Sequence, residues 1–317
     1  MRADPSALDR YVLRPEDGPL PLDRTALFGR DAPLCVEIGF GGGEALAWQA
    51  RERPQRDHLG IELPADCLVR AARALAGAGV GNARLVRGDA RFLLDLLLPE
   101  RSADRVLMQF PMPWPKERHA KHRVTSPTFA DALARVLTAD GRFELVTDQG
   151  WYADEAEEVL RAHAGFGKPE RVCDPQRPFR TRYERRWLAE GRTIHRLRVT
   201  PSAAARPSAR LGTVAMENLR LESLPADSAV VALEDRSWRD GDLQAEVKRV
   251  WQGRDGWLLQ VASADGGFAQ LFHLRVRGRA DGSALLQVGR YPRPYWTPAV
   301  RHALHAVGEA LGAVSVA

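Results

Sequence analysis

The stretch "LCVEIGFGGGEALAWQARER", Leu34 to Arg53, decides how the first two thirds of the chain folds. Its opening, "LCVEIGF", is a short apolar run of the kind that forms a strand buried on both faces. Its end, "GEALAWQARER", carries apolar residues at helical spacing. Between them Gly39, Gly41 and Gly43 allow a tight turn and a close approach of backbone to a ligand. A strand, a glycine loop and a helix make half of a βαβ unit, and ligands of open parallel sheets lie past the carboxyl ends of the strands. The dinucleotide fingerprint nevertheless fails, because Glu44 stands where its third glycine belongs. A helix that opens on a carboxylate also discourages a pyrophosphate.

The pattern repeats in both directions from this stretch. "HLGIEL", "ARLVRGD", "DRVLMQF" and "GRFELVTD" read as further strands. The helical runs "PADCLVRAARALAGAG", "ARFLLDLLL", "SPTFADALARVL" and "WYADEAEEVLRAHA" lie between and after them, and "RTIHRLRVT" reads as a closing strand. This alternation predicts an α/β domain over residues 1–205, built on a doubly wound, mostly parallel sheet. A linker of small residues and proline, "TPSAAARPSAR", follows from Thr200 to Arg210. Beyond it, short alternating runs separated by "GRDG", "ADGG" and "ADG", then an amphipathic helix, predict a small antiparallel α+β domain over 211–317. No motif there carries chemistry.

Three acids stand at the ends of three consecutive strands. Glu37 precedes the first glycine, Glu62 ends "HLGIEL" and Asp89 follows "ARLVRG". A carboxylate at position 62 can accept from both ribose hydroxyls, as in dinucleotide folds, and Asp89 can accept from an adenine amino group. Each acid alone also reads as a loop or capping residue. Together, with no phosphate site beside them, they favour a cationic nucleoside cofactor, S-adenosylmethionine, and a methyltransferase over a dehydrogenase.

The segment "QFPMPWPKERHAKHR", Gln109 to Arg123, begins where the fourth strand ends. Its alternating prolines fix φ and bias each preceding residue away from helix, which predicts a stiff extended loop. From Lys116 to Arg123 there are four Lys/Arg and one acid, and from Lys168 to Arg198 ten against four, within a net charge of +5. Such clusters read as a footprint for RNA, or as a solvated arginine-rich surface, since only four lysines accompany 42 arginines. Cys35, Cys67 and Cys173 form no CxxC pair and no metal spacing, so no metal is expected and the thiols suit a reducing cytoplasm. No apolar run has the length of a signal peptide or a membrane span. Nothing in the pattern speaks to oligomeric state.

The motifs "EIGFGGG", "GIEL", "GDA", "FPMPWPKERHAKHR", "VTD" and "TRYE" resemble, in order and spacing, those of bacterial tRNA (guanine-N7-)-methyltransferases over roughly residues 30–200. The resemblance implies a class I methyltransferase fold, S-adenosylmethionine as methyl donor, and methylation of a variable-loop guanosine in tRNA. By position it implies cofactor binding by Glu37, Glu62 and Asp89, beside Gly39 and Gly41 of the loop. Lys116, Asp148, Thr181 and Glu184 would bind the guanosine; Asp148 also reads as a helix N-cap. Arg118, Lys121 and Arg123 would meet phosphates. Met112 stands where the family has a catalytic aspartate, and His122 where it usually has arginine. The first departure leaves two readings: a methyltransferase, or a cofactor- or RNA-binding homologue of weakened catalysis.

Overall fold

Short apolar strands joined by amphipathic helices can bury both faces of a sheet only by wrapping helices around it, and the computed structural model has that architecture. It describes residues 5–116, 118, 123, 126–204, 207, 209 and 211–314. The chain divides into two compact units, the first made of residues up to 15 and 20–209, the second of 16–19 and 210–317.

In the first unit α1 (Pro5–Tyr11), β1 (Val12–Leu13) and α2 (Arg24–Phe28) precede β2 (Leu34–Ile38). Then come α3 (Glu44–Glu52), β3 (Asp57–Glu62), α4 (Ala65–Gly77), β4 (Ala83–Arg87), α5 (Ala90–Leu97) and β5 (Ala103–Gln109). The unit continues through α6 (Pro127–Val136), β6 (Leu137–Thr147), α7 (Gly150–Ala162), β7 (Glu170–Cys173), α8 (Arg182–Ala189) and β8 (His195–Val199). The sheet order is β1-β4-β3-β2-β5-β6-β8-β7, parallel through β6 and antiparallel at β8 and β7. Strand order reverses between β2 and β5, so right-handed crossovers place α3 and α4 on one face and α5 and α6 on the other. That reversal opens a crevice past Ile38 and Gln109. The expected doubly wound sheet is therefore present; the strand read from "RTIHRLRVT" is β8, which lies between β6 and the edge strand β7 rather than closing the sheet.

One local feature sets the crevice. Gly43, at φ +78°, precedes α3, and a Cβ there would lie 2.5 Å from the Ala71 Cβ of α4, so glycine is required by both conformation and space. At the opposite end of α4, away from the crevice, Tyr11 is fully buried and its hydroxyl donates to the Val80 carbonyl at 2.7 Å, tying α1 to the turn after α4.

The second unit contains β9 (Leu219–Leu221), α9 (Asp227–Val231), β10 (Ser237–Asp240), β11 (Leu243–Gly253), β12 (Gly256–Asp265) and β13 (Phe268–Gly278). It ends with β14 (Ala284–Val288), α10 (Pro298–Ala310) and β15 (Ala313–Val314). Its antiparallel sheet runs β10-β11-β12-β13-β14-β9-β15. Val300, Leu304 and Val307 of α10 share a core with Val261, Phe272 and Leu274, the inward set of the alternating strands. Residues 16–19 fall in this unit, where Asp17 pairs with Arg293 at 3.0 Å.

Candidate active site

Past the carboxyl ends of β2, β3 and β5 lies a pocket of about 450 Å³, the size of a small-molecule site. β2 delivers Glu37 to its floor, and the glycine loop follows with φ of +72° at Gly39 and +55° at Gly41. A Cβ at either glycine would meet nothing within 4 Å, so it is the left-handed backbone that calls for glycine there. Glu62, the last residue of β3, fixes the loop: one carboxylate oxygen accepts from Gly41 N at 2.8 Å, the other from Leu63 N at 2.9 Å. Carboxylate oxygens have lone pairs to spare beyond these bonds, so Glu62 can still accept from hydroxyls.

Glu37 is 4% exposed and its two oxygens accept from Gln109 Nε2 at 3.0 Å and Gln49 Nε2 at 2.8 Å. Gln49 in turn accepts from Arg105 at 3.0 Å, and Gln109 accepts from Arg177. Arg177 pairs with Glu184, while Arg105 and Arg198 share Glu144 at 3.0 and 2.7 Å. Burial pushes the Glu37 carboxyl up to about 7, with the amides and the two arginines pulling the other way.

The opposite wall comes from the proline loop and the "TRYE" region. The loop is not uniformly extended: Phe110 and Trp114, each before a proline, turn at φ +50° and +47°. Left-handed φ in bulky residues is rare and marks strain held by the surroundings. Here Phe110 N donates to the Val146 carbonyl at 2.7 Å, and Arg123 donates twice to the Trp114 carbonyl at 3.2 Å. Met112 stands on this ledge, 67% exposed and lining the pocket. Asp148 and Thr181 also line it, with Tyr183 and Trp187 stacked 5.6 Å apart and Phe110 tilted against Trp187. Arg192 lies over Trp187 and donates to Asp148 Oδ2 at 2.8 Å; Gln149 donates to the same oxygen at 2.6 Å. Asp148 is not the cap of α7, whose N-cap is Gln149.

The pocket thus gathers Glu37, Gly39, Gly41, Glu62, Met112, Asp148 and Thr181 from the residues singled out in the sequence. Five others among the described residues do not line it. Asp89 caps α5, accepting from Arg91 N at 3.0 Å, and its carboxylate is also held by the Arg91 guanidinium; it does not line the pocket. Glu184 is buried against Arg177, and burial raises its carboxyl above the usual range. Arg123 is buried too, paired with Glu155 at 2.6 Å and stacked on Trp151 at 5.1 Å, so it clamps the proline loop rather than meeting phosphates. Lys116 and Arg118 are exposed outside the pocket lining; Lys121 and His122 lie outside the described residues. Gln49, Gln109, Arg177, Trp187 and Arg192 were not singled out. Trp187 had a visible signal, an aromatic among the arginines after "TRYE", and Arg177 and Arg192 were visible only as members of the cationic run from Lys168 to Arg198.

The pocket's acids suit a cation and its glycine loop suits a nucleoside lying against backbone. No phosphate cradle competes, since α3 opens on Glu44. This donor set fits S-adenosylmethionine. Comparison with known proteins points the same way. A family profile described as "Putative methyltransferase" matches residues 31–197. The tRNA (guanine-N(7)-)-methyltransferase of Thermotoga maritima is 36% identical over 96% of this chain and 97% of its own. The chain belongs to the tRNA (guanine-N(7)-)-methyltransferase family. The Thermus thermophilus relative of the same name is 34% identical over 90% of this chain and 91% of its own. The Nitrosococcus oceani member is 42% identical over 56% of this chain and 75% of its own. Family similarity therefore reaches into the second unit in the first two relatives. Among the described residues no His/Cys/Asp/Glu group could hold a metal, and no helix is long and apolar enough to cross a membrane.

Proposed function

We propose that the chain transfers the methyl group of S-adenosylmethionine to N7 of a guanosine in tRNA, in the cytoplasm, and that this guanosine lies in the variable loop. The observation that carries the reading is one pocket joining an acidic, glycine-lined half to a half made of Met112, Asp148, Thr181 and an aromatic pair. The bound cofactor supplies an electrophilic methyl on a sulfonium. Glu37 and Glu62 would hold its ammonium and ribose. Tyr183 and Trp187 offer the stacking face that a base leaving its helix needs.

Guanine N7 has a lone pair and no proton, so the transfer needs no general base. What the protein must provide is alignment and compensation for the positive charge that forms on the ring. Pro111, Pro113 and the Arg123 clamp stiffen the ledge for alignment. With methionine at position 112, where the resemblance implies an aspartate, Asp148 in the same pocket is the acid that would compensate this charge. Both of its bonds fall on Oδ2, which among the described residues leaves Oδ1 for a guanine amino edge. Lys116 and Arg118 would meet flanking phosphates and position the RNA without reading it.

The test is incubation with labelled S-adenosylmethionine and unmodified tRNA, followed by aniline cleavage mapped to the modified base. Cleavage in the variable loop is expected. One observation favours a second reading, a homologue that binds both ligands but transfers slowly: the exposed ledge side chain is a thioether, not a carboxylate. Binding of cofactor and tRNA without cleavage would select that reading.

A further inference from the structure

A second pocket lies behind the first and shares Ala45 and Gln109 with it. Six arginines line it, Arg53, Arg105, Arg142, Arg177, Arg196 and Arg198, against one carboxylate, Glu144. They come from the end of α3, from β5, β6 and β8, and from the loop before α8. The fold therefore assembles a charge cluster that no sequence window contains.

The cluster is not neutralised from within. Both Glu144 oxygens are taken by Arg105 and Arg198, and Arg177 is spent on Glu184 and Gln109. Arg53 and Arg142 have no ion-pair partner among the described residues. Arg105 is 9% exposed, yet its buried Nε has no acceptor, and neither has the buried Nε of Arg196. A buried polar group left without its hydrogen bond is destabilising, the more so when charged. Burial and then the charge of Arg105 press the Arg53 and Arg142 guanidinium groups below their ordinary values. Water can supply an acceptor to each Nε, but an anion with several acceptor oxygens also offsets the clustered positive charge.

The space is about 100 Å³, the liquid volume of roughly three waters. A space that small suits a single oxyanion better than a nucleoside. Donors converge from five segments rather than in one plane, so a tetrahedral anion uses them better than a planar carboxylate, which pairs fork to fork with one guanidinium. We propose that this arginine pocket binds a phosphate group, supplied either by an RNA backbone or by free phosphate. The site stands on its own residues and does not depend on the methyl-transfer reading. Its place behind Gln109 sets the phosphate three hydrogen bonds from Glu37, counting its own bond to Arg177 and then those from Arg177 to Gln109 and from Gln109 to Glu37.

The experiment titrates the full chain with inorganic phosphate by calorimetry, in chloride buffer of constant ionic strength, without cofactor or RNA. Wild type is expected to show one saturable site and a phosphate-dependent rise in melting temperature. The Arg53→Gln/Arg142→Gln variant removes two cations without touching the buried Arg105–Glu144 pair. It should melt like wild type without phosphate and lose roughly tenfold in affinity for each guanidinium removed. No saturable binding to wild type, or equal binding to the folded variant, overturns the proposal. A second arm adds unmodified tRNA once phosphate binding is established. An RNA source predicts that phosphate competes with tRNA and that the variant lowers the salt slope by about 0.7–0.9 per lost phosphate contact. A free-phosphate source predicts simultaneous binding and an unchanged slope.

Discussion

Replacing Glu37 with glutamine probes the polar chain beneath the pocket through its pH dependence. In the folded protein the Glu37 carboxyl is raised from 4.5 to about 7, burial being the largest cause. A raised carboxyl contributes stability that is complete below the unfolded value and is lost as pH rises through the folded one. The window is therefore about pH 4.5 to 7, and the loss across it is about 3 kcal/mol, at about 1.4 kcal/mol per pH unit. Glutamine cannot ionise, so Glu37→Gln removes the slope. It also adds a constant cost: Gln49 and Gln109 both point amide donors at residue 37, and glutamine offers them one acceptor where glutamate offers two. That mismatch should cost about 1–3 kcal/mol at every pH. Urea unfolding of both proteins, without cofactor, from pH 4.5 to 8 separates the two effects, because all other titrations cancel in the difference. The variant should be the less stable protein at pH 4.5 and close most or all of the gap by pH 8. Parallel curves would refute the assignment of a buried, proton-holding Glu37.

Further expectations concern the pocket and its flanks. If Glu37 meets the cofactor's ammonium, S-adenosylmethionine affinity should fall up to tenfold per pH unit below 7 in wild type and stay flat in Glu37→Gln, read by calorimetry. Met112→Asp places a carboxylate on the ledge and should raise the single-turnover rate by about 10²–10³ with little change in cofactor affinity; an unchanged rate would remove the charge-compensation argument. Arg177→Met strands the buried Glu184 carboxylate and should destabilise the first unit by about 3–5 kcal/mol in urea unfolding, whereas a loss below about 1 kcal/mol would mean the pair is not buried in solution. Lys116→Ala with Arg118→Ala should weaken tRNA binding and flatten its salt dependence, and an unaltered slope would displace these cations from the RNA path.

The fold was legible where burial imposes a period on the sequence. β2 to β6 are inward on both faces and read as apolar runs, and β11 to β14 alternate because one face of their sheet packs on α10. β7 escaped notice because "ERVC" is an edge strand with an exposed, patternless burial. The start of β6 was hidden for another reason: α6 passes into it at Leu137 with no loop between, and the next residues, "TADG", read as a turn. The proline loop was read as extended from its prolines alone, but its two left-handed turns fall on Phe110, held by Val146 of β6, and Trp114, held by Arg123 at the far end of the same segment.

The site was legible at strand ends and illegible wherever a side chain's direction depends on a remote partner. Gly39, Gly41 and Glu62 were readable because a strand end facing a glycine loop leaves little choice of direction. The inward pairing of Glu184 and Arg123 was illegible, because their partners Arg177 and Glu155 are brought to them by the fold and stand in no motif with them. The polar chain that matters most links residues 12 to 72 positions apart: Gln49 and Gln109 on Glu37, Arg105 on Gln49, and Arg177 on Gln109. Its direction is physically constrained. Guanidinium groups can only donate, so each glutamine must turn its oxygen to arginine and its amide to Glu37. The carboxylate is thereby oriented before any cofactor arrives, at the cost of burying it. A protein that needs an anion aimed at an ammonium gains from that arrangement, since the reorganisation is completed in folding rather than in binding.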